Sequence, residues 1–215
     1  MAVNAAAQRR TWGAPTGPRV LLCAPLRCEA AALRGATTSP VLRTGLGPWR
    51  SARTIAGVPL GPGDAPVVLG LAGGVGATGP GAVVVADEIR DEAGTVRLPA
   101  AHALAARLRA AGFPVLVGPV ASADHVVGGA ERAALATTGV VAVDMESAAL
   151  ARSAGERLCA VVRVVVDTAR TPLLHPRTPG RGVRALLRLR RLAPVVTAWA
   201  ASPHRCRRTA PDRPR

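Results

Sequence analysis

The sequence predicts an α/β fold, a single domain in which a central mixed, mostly parallel sheet is flanked by helices. Three observations carry this. Short apolar runs alternate with segments of helix-forming composition along most of the chain. Runs such as Val161 to Val166 are apolar almost without interruption, as a sheet covered on both faces requires. Glycines, prolines and acids cluster directly after those runs, where ligands bind in sheets of this kind.

Taken in order, residues 1–18 read as a flexible leader. Arg19 to Pro25 is a buried strand ended by proline, and Cys28 to Arg34 a helix stopped by Gly35. Val41 to Arg43 is a strand running into the glycine turn Thr44-Gly-Leu-Gly-Pro48, followed by a helix over Trp49 to Ile55. Pro66 to Ala72 and Ala82 to Ala86 are strands, with Asp87 and Glu88 capping the exit from the second. A helix over Ala100 to Ala111 is closed by Gly112, and Pro114 to Val120 returns as a strand. Ala130 to Thr137 is a helix, Val140 to Val143 a strand, and Met145 to Ser153 a helix with acids in its first turn. Arg157 to Val166 is the last long strand. Gly182 to Ala201 is a final helix, interrupted or kinked at Pro194. The domain thus spans 19–201, and 202–215 form a basic disordered tail.

Composition narrows the function. Hydrophobic residues make up 49% of the 215 positions but aromatics only 2%, so the core is built from Ala, Val and Leu. All 28 basic residues are arginine, and the net charge is +15. That charge favours anionic partners, yet no aromatics interleave with the arginines as single-strand nucleic-acid binders require, which makes nucleic acid an unlikely partner. The cysteines form no C-x-x-C and histidines are few, so neither a metal nor another cofactor is expected. Cys23 and Cys159 sit in apolar runs as core residues. No signal-like or spanning apolar stretch is present, and a cytoplasmic setting is expected.

Three acids follow apolar strands or open helices: Glu29, Glu146 and Asp167. Carboxyls in a largely apolar cleft hold protons differently from one another, which lets one act as acid and another as base. Arg163 lies within an apolar strand, so burial demands a carboxylate partner. His125 reads as a turn residue with Asp124 its one evident acid. His102 and His175 face solvent.

Val141-Ala-Val-Asp-Met-Glu-Ser-Ala-Ala-Leu150 resembles the signature of the purine nucleoside phosphorylase and methylthioadenosine/S-adenosylhomocysteine nucleosidase superfamily. Cys28 to Leu33, Leu71 to Gly74 with Pro80 to Asp87, Ser122 to Val127 and Arg163 to Asp167 resemble its other motifs, in the same order, across residues 19–170. Thr44 to Pro48, Ser122 to Val127, Ala142 to Ala148, Val162 to Asp167 and the Arg/Leu-rich last helix with Trp199 are similar to the hopanoid-associated branch, whose members release adenine from adenosylhopane.

The resemblance implies cleavage of the N-glycosidic bond of a 5′-substituted adenosine. Asp167 would protonate or hydrogen-bond N7 of the leaving purine, help worth on the order of 10²–10⁴ in rate. Glu29 would activate water. Glu146 would accept from the ribose hydroxyls, with Met145 under the sugar. Val126 and Val127 would form the purine wall, and Ala72 and Gly73 the backbone near ribose and nucleophile. Where phosphorylases of the family hold phosphate with Arg and Ser, this chain has Val68 and Leu71, which favours water. Arg43, Gly45, Gly47 and Arg50 are the candidate phosphate ligands if phosphate is used. Rival readings are phosphorolysis of the same bond, a methylthioadenosine/S-adenosylhomocysteine nucleosidase, and a basic nucleoside- or nucleic-acid-binding module without catalysis. A homo-oligomer is expected. Arginines 184, 188, 190 and 191 form either a solvated helix face or a contact with anionic lipid.

Overall fold

In the computed structural model, residues 19–171 and 178–202 are described. The expected leader, nearly all of the expected tail, His175 and Cys206 lie outside them. Eight strands and six α-helices follow one another in the described chain: β1 (Val20–Ala24), α1 (Arg27–Arg34), β2 (Val41–Arg43), α2 (Pro48–Ala56), β3 (Ala65–Gly74), β4 (Val83–Asp91), β5 (Gly94–Arg97), α3 (Ala101–Ala110), β6 (Val115–Ser122), α4 (Gly129–Thr137), β7 (Ala142–Asp144), α5 (Ser147–Ala154), β8 (Ala160–Asp167) and α6 (Thr178–Ala201).

The sheet is mixed, as expected. Strands β1–β2, β1–β3, β3–β8, β4–β6 and β6–β7 pair in parallel. Strands β4–β8, β3–β7 and β4–β5 pair antiparallel. The pairings β3–β8–β4–β6–β7–β3 close a ring of five strands, to which β1 and β2 add a flap and β5 a hairpin arm. Closure depends on β3. Its middle pairs with β8, and Gly73 and Gly74 at its end cross to Val143 and Ala142 of β7.

Alternation along the strands divides the core in two. Val67, Leu69, Val83, Val85, Val162 and Val164 face α1, α3 and α6, where Leu33, Leu104, Leu108, Leu189, Leu192 and Trp199 cover them. Val68, Val84, Val161 and Val165 face the other way, toward Ile55 of α2 and Leu150 of α5. Both faces are therefore dry, which accounts for the uninterrupted apolar strands.

Two expectations are corrected. Asp87 and Glu88 do not cap the end of β4; the strand passes them through an irregularity between Ala86 and Ile89 and continues to Asp91. There it turns back at Gly94, whose φ of +117° suits glycine, into β5. The final helix starts at Thr178 and runs through Pro194 to Ala201 as one element. Thr197 Oγ1 donates to the Ala193 and Pro194 carbonyls beside the proline. Among the described residues, no helix is long and apolar enough to cross a membrane.

Candidate active site

A cavity of about 810 Å³ opens where β1, β3, β7 and β8 end, and Leu26, Glu29, Leu71, Asp144, Glu146 and Asp167 are among the residues that line it. Its floor is a cluster of charges around Arg163. Placed in mid-β8 on the same face as Val161 and Val165, Arg163 has no solvent exposure. Its Nη2 lies 2.7 Å from Asp144 Oδ2 and 4.0 Å from Glu146 Oε2. It also donates to Ser147 Oγ at 2.9 Å. Burial alone would disfavour the guanidinium, but Asp144, Glu146 and Glu29 outweigh it and hold Arg163 above its ordinary range. The structural ion pair expected for Arg163 is thus present, with more than one acid.

Glu29 reaches this cluster from the first turn of α1. Its Oε2 accepts from the Leu26 amide at 2.7 Å, closing the helix start in the manner of a capping-box glutamate. Its Oε1 accepts from the Leu71 amide at 2.7 Å, which ties α1 to β3. The approach is possible because position 70 is glycine. A Cβ there would stand 2.6 Å from Arg163 Nη1 and 2.9 Å from Glu29 Oε1.

Glu146 is the residue just before α5. Its Oε1 accepts from the Gly47 amide at 2.8 Å, and Gly47 adopts φ +90° to present that amide at the start of α2. Asp144, the last residue of β7, ties the turn into α5 to Arg163. Its Oδ1 accepts from the amides of Glu146 and Ser147, at 3.1 and 3.0 Å, while its other oxygen meets Arg163 and Ser147 Oγ.

Burial raises Glu29 above its ordinary value, and Arg163 and the two backbone donors only partly oppose this. Glu146 is raised chiefly by burial as well, again against Arg163. One buried cation faces three carboxyls here, so retaining a proton among them relieves both desolvation and like-charge repulsion.

Asp167, at the end of β8, stands in a second corner. Arg132 Nη2 donates to its Oδ2 at 2.6 Å, both side chains being more than nine-tenths buried. Arg132 is the one buried residue of α4. It packs on Gly73, where a Cβ would come within 2.6 Å of Nη2. Sequence reasoning missed Arg132 because one arginine among 28 in a lysine-free chain carries little signal.

Of the other residues singled out, Met145, Val126, Val127, Ala72 and Gly73 all line the cavity. Val127 is buried and Val126 67% exposed, so the first is wall and the second is rim. Arg43, Gly45, Gly47 and Arg50 are not among the lining residues, and the Gly47 amide is engaged by Glu146. His125 also lines the cavity, with two acids rather than one: Nδ1 lies 2.8 Å from Asp124 and Nε2 2.9 Å from Glu131. These hold it protonated, up to about 9.

The pattern of the phosphorylase superfamily matches residues 40–193. No curated protein matches the sequence. Among solved structures, the 5′-methylthioadenosine/S-adenosylhomocysteine nucleosidase of Neisseria meningitidis, in complex with methylthio-immucillin-A, is similar with a TM-score of 0.69 and 18% identity, over 83% of this chain and 98% of that one. The S-adenosylhomocysteine nucleosidase of Streptococcus pyogenes, in complex with 5-methylthiotubericidin, gives 0.65 and 20%, over 85% and 99%. The Helicobacter pylori 5′-methylthioadenosine/S-adenosylhomocysteine nucleosidase with butyl-thio-DADMe-Immucillin-A gives 0.68 and 15%, over 86% and 98%. At these identities the likeness is one of fold, but the family match spans most of the chain. The chain belongs to the phosphorylase superfamily.

Proposed function

We propose that this protein is a nucleosidase that hydrolyses the N-glycosidic bond of a 5′-substituted adenosine and releases adenine. One observation carries the reading: Glu29 and Glu146, buried around Arg163, line the same cavity as Asp167. This supplies separate acids for the nucleophile, the sugar and the base.

In this reading Glu29 takes the proton of a water whose oxygen bonds to C1′ of the ribose. The C1′–N9 bond breaks, and its electron pair leaves with the purine, which becomes adenine by taking up one proton, the equivalent of the one that Glu29 removes from water. Glu146 accepts from the ribose hydroxyls and eases the positive charge that develops on the ring, with Met145 beneath the sugar. Asp167 serves the edge of the purine that bears N7 and the 6-amino group, and Val127 forms its wall. Water is favoured over phosphate because Val68 is fully buried and apolar, Leu71 offers only its backbone, and Arg43 and Arg50 stand off the cavity.

Adenosylhopane is the substrate we favour, on the resemblance to the hopanoid-associated branch. Its support here is the apolar character of the rim. Leu46 and Val126 are exposed at the cavity, and exposed Val183 and Leu187 follow Pro179 and Gly182 on α6. Arginines 184, 190 and 191 on the same helix are exposed, which suits an anionic membrane surface at the inner face of the membrane. Assembly into a homo-oligomer belongs to the same proposal.

Adenine release from adenosylhopane and from methylthioadenosine, with and without phosphate, tests this. Release without phosphate is expected. Strict dependence on phosphate would make the protein a phosphorylase, and no release by folded protein would leave a binding module.

A further inference from the structure

A second recess, of about 530 Å³, lies between α6 and the end of α1. Arg34, Gly35, Ala36, Thr37 and Thr38 line one side of it, Pro194 and Thr197 the other. None of them lines the cavity that holds Glu29, Glu146 and Asp167. That cavity meets α6 at Pro179 and Gly182, and the helix from Gly182 to Pro194 spans about 18 Å. Arg190, four residues before Pro194, brings a second guanidinium to the edge of the recess. It lies against Gly35, where a Cβ would stand 2.5 Å from Nη1 and 3.2 Å from Cζ. Gly35 has φ −81°, open to any residue, so glycine makes room here for the guanidinium and not for the turn.

These charges lack a counterpart. Arg34 donates to the Val41 carbonyl at 3.4 Å, and neither Arg34 nor Arg190 makes an ion pair among the described residues. No acid lines the recess, and α6 carries five arginines and no acid. The carbonyl end of α1 suits one cation, but two guanidinium groups at one helix end repel each other until an anion joins them. The loop after α1 adds donors. The amides of Thr37 and Thr38 have no acceptor among the described residues, and Thr37 Oγ1, which accepts from the Ser39 amide at 3.1 Å, keeps its own proton to give. A phosphate group can take a guanidinium fork on one side and hydroxyls on another. We propose that this recess binds a phosphate group, at a site separate from the cavity assigned to glycosidic cleavage. The site does not depend on the nucleosidase reading. Val183 and Leu187 are exposed on the same helical stripe as Arg190 and Pro194, which suits a phosphate borne by a lipid, whereas a soluble phosphate ester needs only the recess.

The test uses the full chain with two probes: inorganic phosphate, followed by calorimetry, and vesicles of phosphatidylglycerol in phosphatidylcholine, followed by sedimentation. Binding of inorganic phosphate would mark a soluble ligand, and binding of the vesicles alone a lipid headgroup. Absence of both would overturn the proposal. Arg34→Gln combined with Arg190→Gln should weaken whichever binding is seen by about tenfold or more. Undiminished binding in that double variant would place the phosphate elsewhere and overturn the site. Arg97→Gln combined with Arg157→Gln removes the same charge from exposed positions on β5 and just after α5, and should weaken binding by less than about twofold. Equal losses in the two double variants would overturn the site in favour of the net charge of the whole chain. Gly35→Ala keeps every charge but drives the Arg190 guanidinium from its seat, and should weaken binding at least about threefold. Full retention in Gly35→Ala would overturn the pairing of Arg34 with Arg190.

Discussion

Glu29 and Arg163 approach each other across Gly70, the one β3 position where any side chain would collide with both. The acid is fixed from the other side by the amides of Leu26 and Leu71, so neither partner has room to withdraw. Gly70→Ala should therefore cost about 1–3 kcal/mol, as overpacked cores do, and lower activity at least as severely. Gly129→Ala, in the first turn of α4 where an added Cβ meets nothing within 4 Å, is the matching control and should cost no stability and leave activity unchanged. Denaturant unfolding and adenine release check the pair.

Removing Arg163 would leave Asp144 buried and unpaired, with Glu29 and Glu146 deprived of their shared cation. Arg163→Met should lose about 3–5 kcal/mol, the range for breaking a buried ion pair from one side. A loss under about 1 kcal/mol, the range of exposed pairs, would mean that the cluster does not bear on folding.

The raised carboxyls give a pH dependence of definite sign. Glu29 binds its proton more tightly folded than unfolded, so its contribution is fully present below about 4.5 and declines as pH rises through the folded value. Glu29→Gln should gain on the wild type as pH increases past 4.5, measured as the difference in unfolding free energy. A difference that stays constant with pH would contradict the burial of an ionisable group at this site. In the wild type, kcat/KM for adenine release should climb with pH above the ordinary carboxylate range, as the buried pair ionises.

His125 supplies a test remote from the charge cluster. Its imidazolium, held first by Asp124 and then by Glu131, should titrate near 9 in an NMR experiment. Asp124→Asn should bring it down towards 6.5. An unshifted imidazole in the wild type would show that the loop does not hold these contacts in solution.

The parts legible in the sequence were those with a period or a motif. Strands such as Ala160–Asp167 declared themselves by apolar runs, and α1, α3 and α4 by composition bounded by glycine. The β4–β5 hairpin stayed hidden because Asp87, Glu88, Arg90 and Asp91 alternate with few apolar residues, and a half-covered arm needs no more. The acids Glu29, Glu146 and Asp167 could be named because strand ends and family motifs mark them. Their partners could not. Arg132 and Asp167 are 35 residues apart, and only the crossing of β3 from β8 to β7 brings α4 over that strand end. The second acid of His125 lay six residues further on in Glu131, invisible until α4 fixed its direction.

The closed ring of strands has a consequence for how the molecule meets its own kind. Of the eight described strands, only β2 and β5 have a single neighbour, so these two are the end strands of the sheet. They span three and four residues, and β5 carries Arg97. Lengths of that order, guarded by charge, make poor templates for strand addition. A chain whose core is nearly all valine, leucine and alanine thus gives another copy little backbone on which to nucleate an aggregate.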